Sequence, residues 1–290
     1  MSIKPKTYTI GLDIGGTTIK GILFDGEKII TDHELGTPKD NLKHFLVIIK
    51  AVVDPLLEKT KELKVKINGI GVGVAGIINA DKTINLHSPN ISIINNINLP
   101  EKIEELFNLP VLADNDTNCL VLAESLLGAG KNRNSVYGII IGTGIGGGWY
   151  LNGNIHDGAH GGAGEPGEMI IEAGSGMGLE TAYHQLMQNN PNQMAEEAYH
   201  GDVLALKSYE ELGNIIGITI ANISNLINPE IFILYGGALE SSDLFLSKTK
   251  KIAKKYIASS EAKKKIKIVK SKLVGHAGAI GAALLFNNKK

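Results

Sequence analysis

Short apolar runs at residues 7–12, 19–24 and 28–33 are separated by glycine and charged positions, a rhythm that predicts three strands in a meander. From 41 to 63 the apolar positions fall three and four apart instead, predicting one long amphipathic helix. Residues 65–74 return to a β-run. Its exit at 71–76 predicts a loop at the carboxyl end of a central strand, where open α/β sheets bind ligands. A second sheet is expected to open at 110–114, to continue through two strands around 142–148, and to take in 230–235 as a buried strand. Helices are expected at 117–127, stopped by Gly128, at 209–227, closed by Asn228 and Pro229, and at 276–286, where alanine and glycine permit close approach to a neighbour.

Two of the strand pairs enclose unusual turns. Asp13 ends one apolar strand, Gly15, Gly16, Thr17 and Thr18 form the turn, and Lys20 lies in the returning strand. Backbone amides without a Cβ in the way can approach phosphate oxygens, and a strand-end carboxylate can hold a hydrated divalent cation. A tight hairpin would have the same local pattern. The arrangement recurs around Gly142, Thr143 and Gly144, which suggests duplicated halves that hold one polyphosphate between two turns. Gly142, Gly144 and Gly147 also fit the dinucleotide spacing, but that site requires a helix to begin within the glycines. Here Trp149, Tyr150 and Leu151 predict a strand that ends at Asn152 and Gly153, so the dinucleotide reading is set aside.

With 290 residues, 43% hydrophobic and 20% charged, the chain can bury two cores, and disorder is excluded as a class. The net charge of -1 gives no general attraction to nucleic acid. The lysine-rich stretch 248–272 alternates with isoleucines and reads as the solvated faces of a helix and a strand. A single cysteine, Cys119, rules out an intramolecular disulfide and a cysteine metal cage. Residues 1–7 lack the apolar core of a signal peptide, and no stretch has the uninterrupted length of a membrane span. The expected location is the cytoplasm.

Two further segments carry candidate chemistry. Asp114, Asn115 and Asp116 lie where a strand gives way to a helix. One of them is enough to cap the helix, worth about 1 kcal/mol. An aspartate there can also take a proton from a hydroxyl while the asparagine holds the same substrate. Residues 158–169 surround Glu165 and Glu168 with glycines, consistent with carboxylates that accept hydrogen bonds from polyol hydroxyls, and equally with a flexible surface loop.

Taken together, the segments resemble the ROK family (repressors, open reading frames and sugar kinases) of the actin-like ATPase superfamily, in the family's order and over nearly the whole chain. Asp13 to Lys20 is similar to the first phosphate motif and Gly142 to Gly148 to the second. Ser88 to Asn90 and Asn95 to Leu99 resemble the sugar-contacting stretch, and Asp114 to Asp116 the segment that carries the base. Gly162 to Gly167 matches the sugar loop, Asn228 to Glu230 with Gly236 and Gly237 the strand and turn near adenosine, and Gly275 to Ala283 the closing helix. The resemblance implies an α/β fold of two ribonuclease H-like domains around a central cleft. The expected division is a smaller domain, 1–112 with the terminal segment 276–290, and a larger one, 113–275.

It further implies ATP-dependent phosphorylation of a hexose or hexose derivative, as in a glucokinase, fructokinase or N-acetylmannosamine kinase. Asp116 is the implied base. Gly76, Asn90, Asn115, Glu165, Glu168 and Glu172 are the implied acceptor contacts. Gly15, Gly16, Thr17, Thr18, Lys20, Gly142, Thr143, Gly144, Gly236 and Gly237 are the implied ATP contacts, and Asp13 holds Mg²⁺ through water. Three departures stand out: Glu168 replaces the family's usual histidine, the cysteine-rich zinc loop that should follow is missing, and Ile94 occupies the place of a common tryptophan. No zinc is therefore expected. Glu172 is the better match for the glutamate that ends that loop, with Glu180 as the other candidate. A sugar-binding sensor without transfer activity and a polyphosphate-dependent glucokinase are the alternatives. The first phosphate motif begins near residue 8, so regulation through DNA is not expected; the expected partners are a sugar, ATP and a second copy of the chain, with no nucleic acid or membrane.

Overall fold

The structure, a computed structural model, describes residues 7–287 except 80, 89, 189 and 274. Pro89 of the expected sugar stretch and residues 1–6 and 288–290 lie outside the described residues. The chain forms two compact units. The first comprises Met1–Gly128, Gly153–Ala163 and Leu273–Lys290, and the second Ala129–Asn152 and Gly164–Lys272.

In the first unit, β1 (Tyr8–Ile14), β2 (Thr18–Phe24) and β3 (Ile29–Gly36) form the expected meander. α1 (Leu42–Leu63) follows, with Asn41 accepting from the His44 N–H at its start and Lys64 in the left-handed region at its end. Then come β4 (Ile67–Val74), a small hairpin of β5 (Ile77–Ile78) and β6 (Asn85–His87), α2 (Leu99–Phe107), β7 (Val111–Asn115), α3 (Asp116–Leu126) and, after the segment in the other unit, the two-residue β10 (Asn154–Ile155). The sheet order is β3-β2-β1-β4-β7, with β4 parallel to both β1 and β7.

This corrects one expectation. Residues 111–115 complete the first sheet rather than opening the second, and the division expected at 112–113 moves to Gly128. The reason is a register between distant residues, Ile70 with Val111 through Val74 with Asn115, which no local pattern encodes. The core of this unit joins Ile10, Leu12, Ile70 and Val72 from the strands to Phe45, Ile49, Val52 and Val53 from α1. On the other face lies α9 (Ala277–Leu284), every residue of which is buried. Glycines make that contact possible: a Cβ on Gly71 would sit 1.8 Å from the Ala282 carbonyl oxygen, and one on Gly281 1.7 Å from that of Cys119.

The second unit contains β8 (Ser135–Ile141), β9 (Ile145–Leu151), β13 (Ile231–Tyr235) and β14 (Lys267–Lys270) in the order β9-β8-β13-β14. β8 and β9 are antiparallel, and the other pairs are parallel. The ribbon of β11 (Ile170–Glu172) and β12 (Met177–Gly178) leads into α4 (Leu179–Leu186), α5 (Pro191–Tyr199), α6 (Val203–Ile227), α7 (Leu246–Tyr256) and α8 (Ser260–Lys265). α6 begins six residues before the expected 209, because Asp202 caps it by accepting from the Ala205 N–H. Among the described residues no helix is long and apolar enough to cross a membrane.

Candidate functional site

In the first unit the parallel strands end together. Asp13, Gly73 and Asp114 occupy one row across β1, β4 and β7, so candidates far apart in sequence meet at the carboxyl edge of a single sheet. The turn after β1 is closed by a hydrogen bond from the Gly15 N–H to the Thr18 carbonyl at 3.0 Å. Thr37 braces it, donating its hydroxyl to the Gly15 carbonyl at 2.7 Å and its N–H to the Thr17 carbonyl at 2.9 Å. Asn90 packs against this turn, where a Cβ on Gly16 would lie 2.7 Å from the asparagine Cβ. A phosphate candidate and an acceptor candidate are thus neighbours.

Asp13 faces the start of α9 so closely that a Cβ on Gly278 would fall 2.4 Å from its carboxylate oxygen. Burial pushes the Asp13 carboxyl up to about 7, the nearby Asp116 carboxylate adds to the rise, and Lys20 opposes it. Lys20 lies opposite Asp13 on β2, with its ammonium 3.3 Å from Glu34.

At the β7–α3 junction the capping question has a clear answer. Asn115 is the cap, its side-chain oxygen accepting from the N–H groups of Thr117 at 2.8 Å and Asn118 at 3.2 Å. Its side-chain amide donates to the Gly76 carbonyl at 2.8 Å, tying the strand end to the loop after β4. Gly76 has φ +123, and a Cβ there would lie 2.3 Å from the His87 carbonyl oxygen, so glycine is required. Asp116 is thereby relieved of capping. One of its oxygens accepts from the Thr117 N–H at 2.8 Å, and among the described residues the other has no protein partner. The side chain is half-buried, and burial raises its pKa against the pull of the Thr117 hydrogen bonds.

The second unit carries the other turn. The Gly142 N–H donates to the Gly144 carbonyl at 2.9 Å, and Ile145 begins a strand, as expected, rather than a helix. The Tyr183 hydroxyl donates to the Gly142 carbonyl at 2.9 Å, and the Ile145 N–H donates to the Glu180 carboxylate at 2.6 Å. Thr143 is exposed at the tip. Gly236, with φ +95, and Gly237 follow β13, and a Cβ on Gly236 would collide with the Ile141 carbonyl 2.2 Å away. The donor candidates therefore lie at adjacent strand ends, since β8 pairs with β13.

Glu165 directly precedes the one-turn helix at 166–168 and Glu168 is its last residue, both exposed. Glu172 is exposed on the β11–β12 ribbon, its carboxylate accepting from the Ser175 hydroxyl at 2.7 Å. Glu180 is placed differently. Its carboxylate meets the turn at Gly144 and lies 3.4 Å from where a Cβ on Gly167 would be, between that turn and the glutamate loop. Its place in the first turn of α4, directly after a glycine, is the sequence signal that points to it.

The sequence profile described as the ROK family matches residues 9–289. The chain belongs to the ROK family. A glucokinase of Halalkalibacterium halodurans is 31% identical over 278 residues, covering 84% of this chain and 84% of the relative. An N-acetyl-D-glucosamine kinase of Mannheimia succiniciproducens is 28% identical, covering 96% and 99%. The crystal structure of a ROK family glucokinase from Streptomyces griseus, in complex with glucose and AMPPNP, superposes with a TM-score of 0.77 at 27% identity, over 96% of this chain and 98% of that one. The two-unit α/β architecture is thus that of ROK kinases. Among the described residues of this ROK chain, no three or more His, Cys, Asp or Glu side chains gather as a metal cage. A hydrated Mg²⁺ shared with phosphate oxygens asks for less. One hard carboxylate, burdened by burial and by a neighbouring carboxylate, fits it, and Asp13 is that group.

Proposed function

We propose that the protein is a ROK sugar kinase that transfers the terminal phosphoryl group of ATP to a hydroxyl of a hexose or hexose derivative. The observation that carries this reading is the division of labour at the β7–α3 junction: Asn115 caps the helix, and Asp116 keeps a carboxylate oxygen that has no protein partner among the described residues, beside Asp13. Burial makes Asp116 a stronger base than an exposed aspartate, suited to take the proton as a hydroxyl attacks phosphorus. Asn90, Asn115, Gly76, Glu165 and Glu168 are assigned to the acceptor. Glu180 joins them because its carboxylate lies beside Gly167, between Glu165 and Glu168 in sequence, whereas Glu172 is engaged with Ser175 on the ribbon.

The turns at Gly15 to Thr18 and Gly142 to Gly144, with Gly236 and Gly237, are assigned to the nucleotide, and Lys20 to charge balance around Asp13. Mg²⁺, when bound, supplies neutralisation of the phosphate oxygens, and Asp13 is the residue assigned to hold it through water. With one cysteine in the chain, no zinc is assigned. A homodimer is also inferred, as the family resemblance implies, and light scattering of the purified protein measures it.

The test is ADP release from MgATP across a panel of hexoses and N-acetylhexosamines. Saturable turnover with at least one of them, reduced ~10²-fold or more in Asp116→Asn with sugar binding retained, is the expected result. Sugar binding without turnover on any member would replace the kinase reading with that of a sensor. Transfer from inorganic polyphosphate but not from ATP would reassign the donor.

A further inference from the structure

Lys82 forms the tip of the β5–β6 hairpin, in no motif singled out from the sequence. Its backbone adopts φ +57, in the left-handed region that non-glycine residues seldom occupy, and it is held there by its N–H donating to the Asn79 carbonyl at 2.8 Å. The Asn79 side chain reinforces the tip, accepting from the N–H groups of Thr83 and Ile84. From this tip the ammonium reaches two carboxylates, Asp114 at 2.5 Å and Asp157 at 2.8 Å. Asn118 closes the ring, its side-chain amide donating to Asp114 at 2.9 Å and to Asp157 at 3.2 Å. The Asp114 side chain is only 5% exposed, so the cation that neutralises it is part of the fold's electrostatics and not a surface ornament. Burial would lower the Lys82 pKa, but the two carboxylates outweigh it and raise it, keeping the ammonium charged.

Each carboxylate is attached to a segment of the proposed acceptor site. Asp114 directly precedes Asn115 and Asp116 and accepts from the Asn115 N–H at 2.8 Å. Asp157 opens the glycine-rich loop, its carbonyl accepting from the Ala163 N–H at 3.1 Å, two residues before Glu165. We propose that Lys82 is a positioning residue of the acceptor site: its ammonium clamps the base-bearing strand end and the start of the glutamate loop together without itself touching the sugar. The proposal rests on the sugar-kinase reading for its kinetic consequence, and on geometry alone for the clamp. Without the cation, Asp114 and Asp157 repel one another across a shared asparagine, and both segments loosen.

The test compares wild type with Lys82→Met, which keeps the apolar stem and removes the charge, and with Lys82→Arg, which restores a cation. Amide hydrogen exchange reads the clamp directly. Lys82→Met should accelerate exchange in peptides spanning 112–120 and 157–163 and leave 8–24 unchanged, and Lys82→Arg should restore protection. Kinetics read the positioning. In Lys82→Met the KM for sugar should rise and kcat fall, a loss on the order of tenfold or more in kcat/KM for sugar, with the KM for ATP within about twofold of wild type. Asp157→Asn should produce a loss of similar size, and the double variant should be no worse than either single one, because the groups act as one unit. Unchanged exchange in both peptides would overturn the clamp. Altered exchange with unchanged kcat/KM for sugar, or an equal rise in both KM values, would overturn the positioning role. Absence of turnover by wild type on every sugar would instead remove the kinase reading, while the exchange comparison still decides the clamp.

Discussion

Replacing Asp13 by asparagine should stabilise the unliganded protein while abolishing its chemistry, and the size of the effect follows from the site. The folded carboxyl titrates at about 7 against an ordinary value of 3.8, burial first and the Asp116 carboxylate second. A carboxyl whose folded pKa is raised binds its proton more tightly in the native state. Native stability therefore falls as pH climbs from about 4 to about 7 and is level beyond. Three units at 1.36 kcal/mol each set a ceiling of about 4 kcal/mol at pH 8, and because the side chain is only half-buried, solvent screening reduces this to roughly 1–2 kcal/mol.

Asparagine does not titrate, so the difference in unfolding free energy between variant and wild type should be near zero at about pH 3, below the ordinary value of 3.8, and favour the variant by that amount at pH 8. Urea denaturation without Mg²⁺ or nucleotide, run at several pH values, measures it. The subtraction cancels every carboxylate common to both proteins. Addition of Mg²⁺ and ATP should narrow or reverse the gap, since the ligand stabilises only the form that binds it. A variant less stable than wild type at pH 8, or a gap that does not change with pH, would refute the claim that Asp13 is held at an electrostatic cost until a cation arrives.

Other expectations follow from the same geometry. Asp116→Asn should lower kcat by ~10²-fold or more with the sugar KM little changed, measured by coupled ADP release, and near-normal turnover would remove Asp116 as the base. Glu180→Gln should cost on the order of tenfold in kcat/KM, whereas Glu172→Gln, a change on an exposed ribbon, should fall within about twofold of wild type; the reverse ranking would return the role to Glu172. Gly281→Ala should destabilise by about 1–3 kcal/mol, because its Cβ would stand 1.7 Å from the Cys119 carbonyl oxygen and drive α9 from α3. At roughly 2–4 °C per kcal/mol, a melting shift under about one degree would contradict that packing.

Local chemistry was legible where a few neighbouring residues decide the outcome. The Gly15–Gly16 and Gly142–Gly144 turns, the strand rather than helix after Gly148, and the long helix that begins near residue 41 all follow from steric, hydrogen-bonding and periodicity preferences that act within short stretches of chain. The ordered set of motifs between Asp13 and Ala283 likewise carried the family, which the profile match over residues 9–289 shows.

Tertiary structure decided what depends on partners distant in sequence. It assigned 111–115 to the first sheet through pairing with β4, gave the cap to Asn115 and so released Asp116, and set Glu180 rather than Glu172 against the Gly144 turn. It also raised Asp13 by burial beside Asp116, and drew Lys82, Asp114 and Asp157 into one ring. A chain's local pattern specifies which conformations and contacts each residue can make. Which carboxylate loses its water, and which cation stands beside it, is fixed only when segments tens of residues apart are packed together.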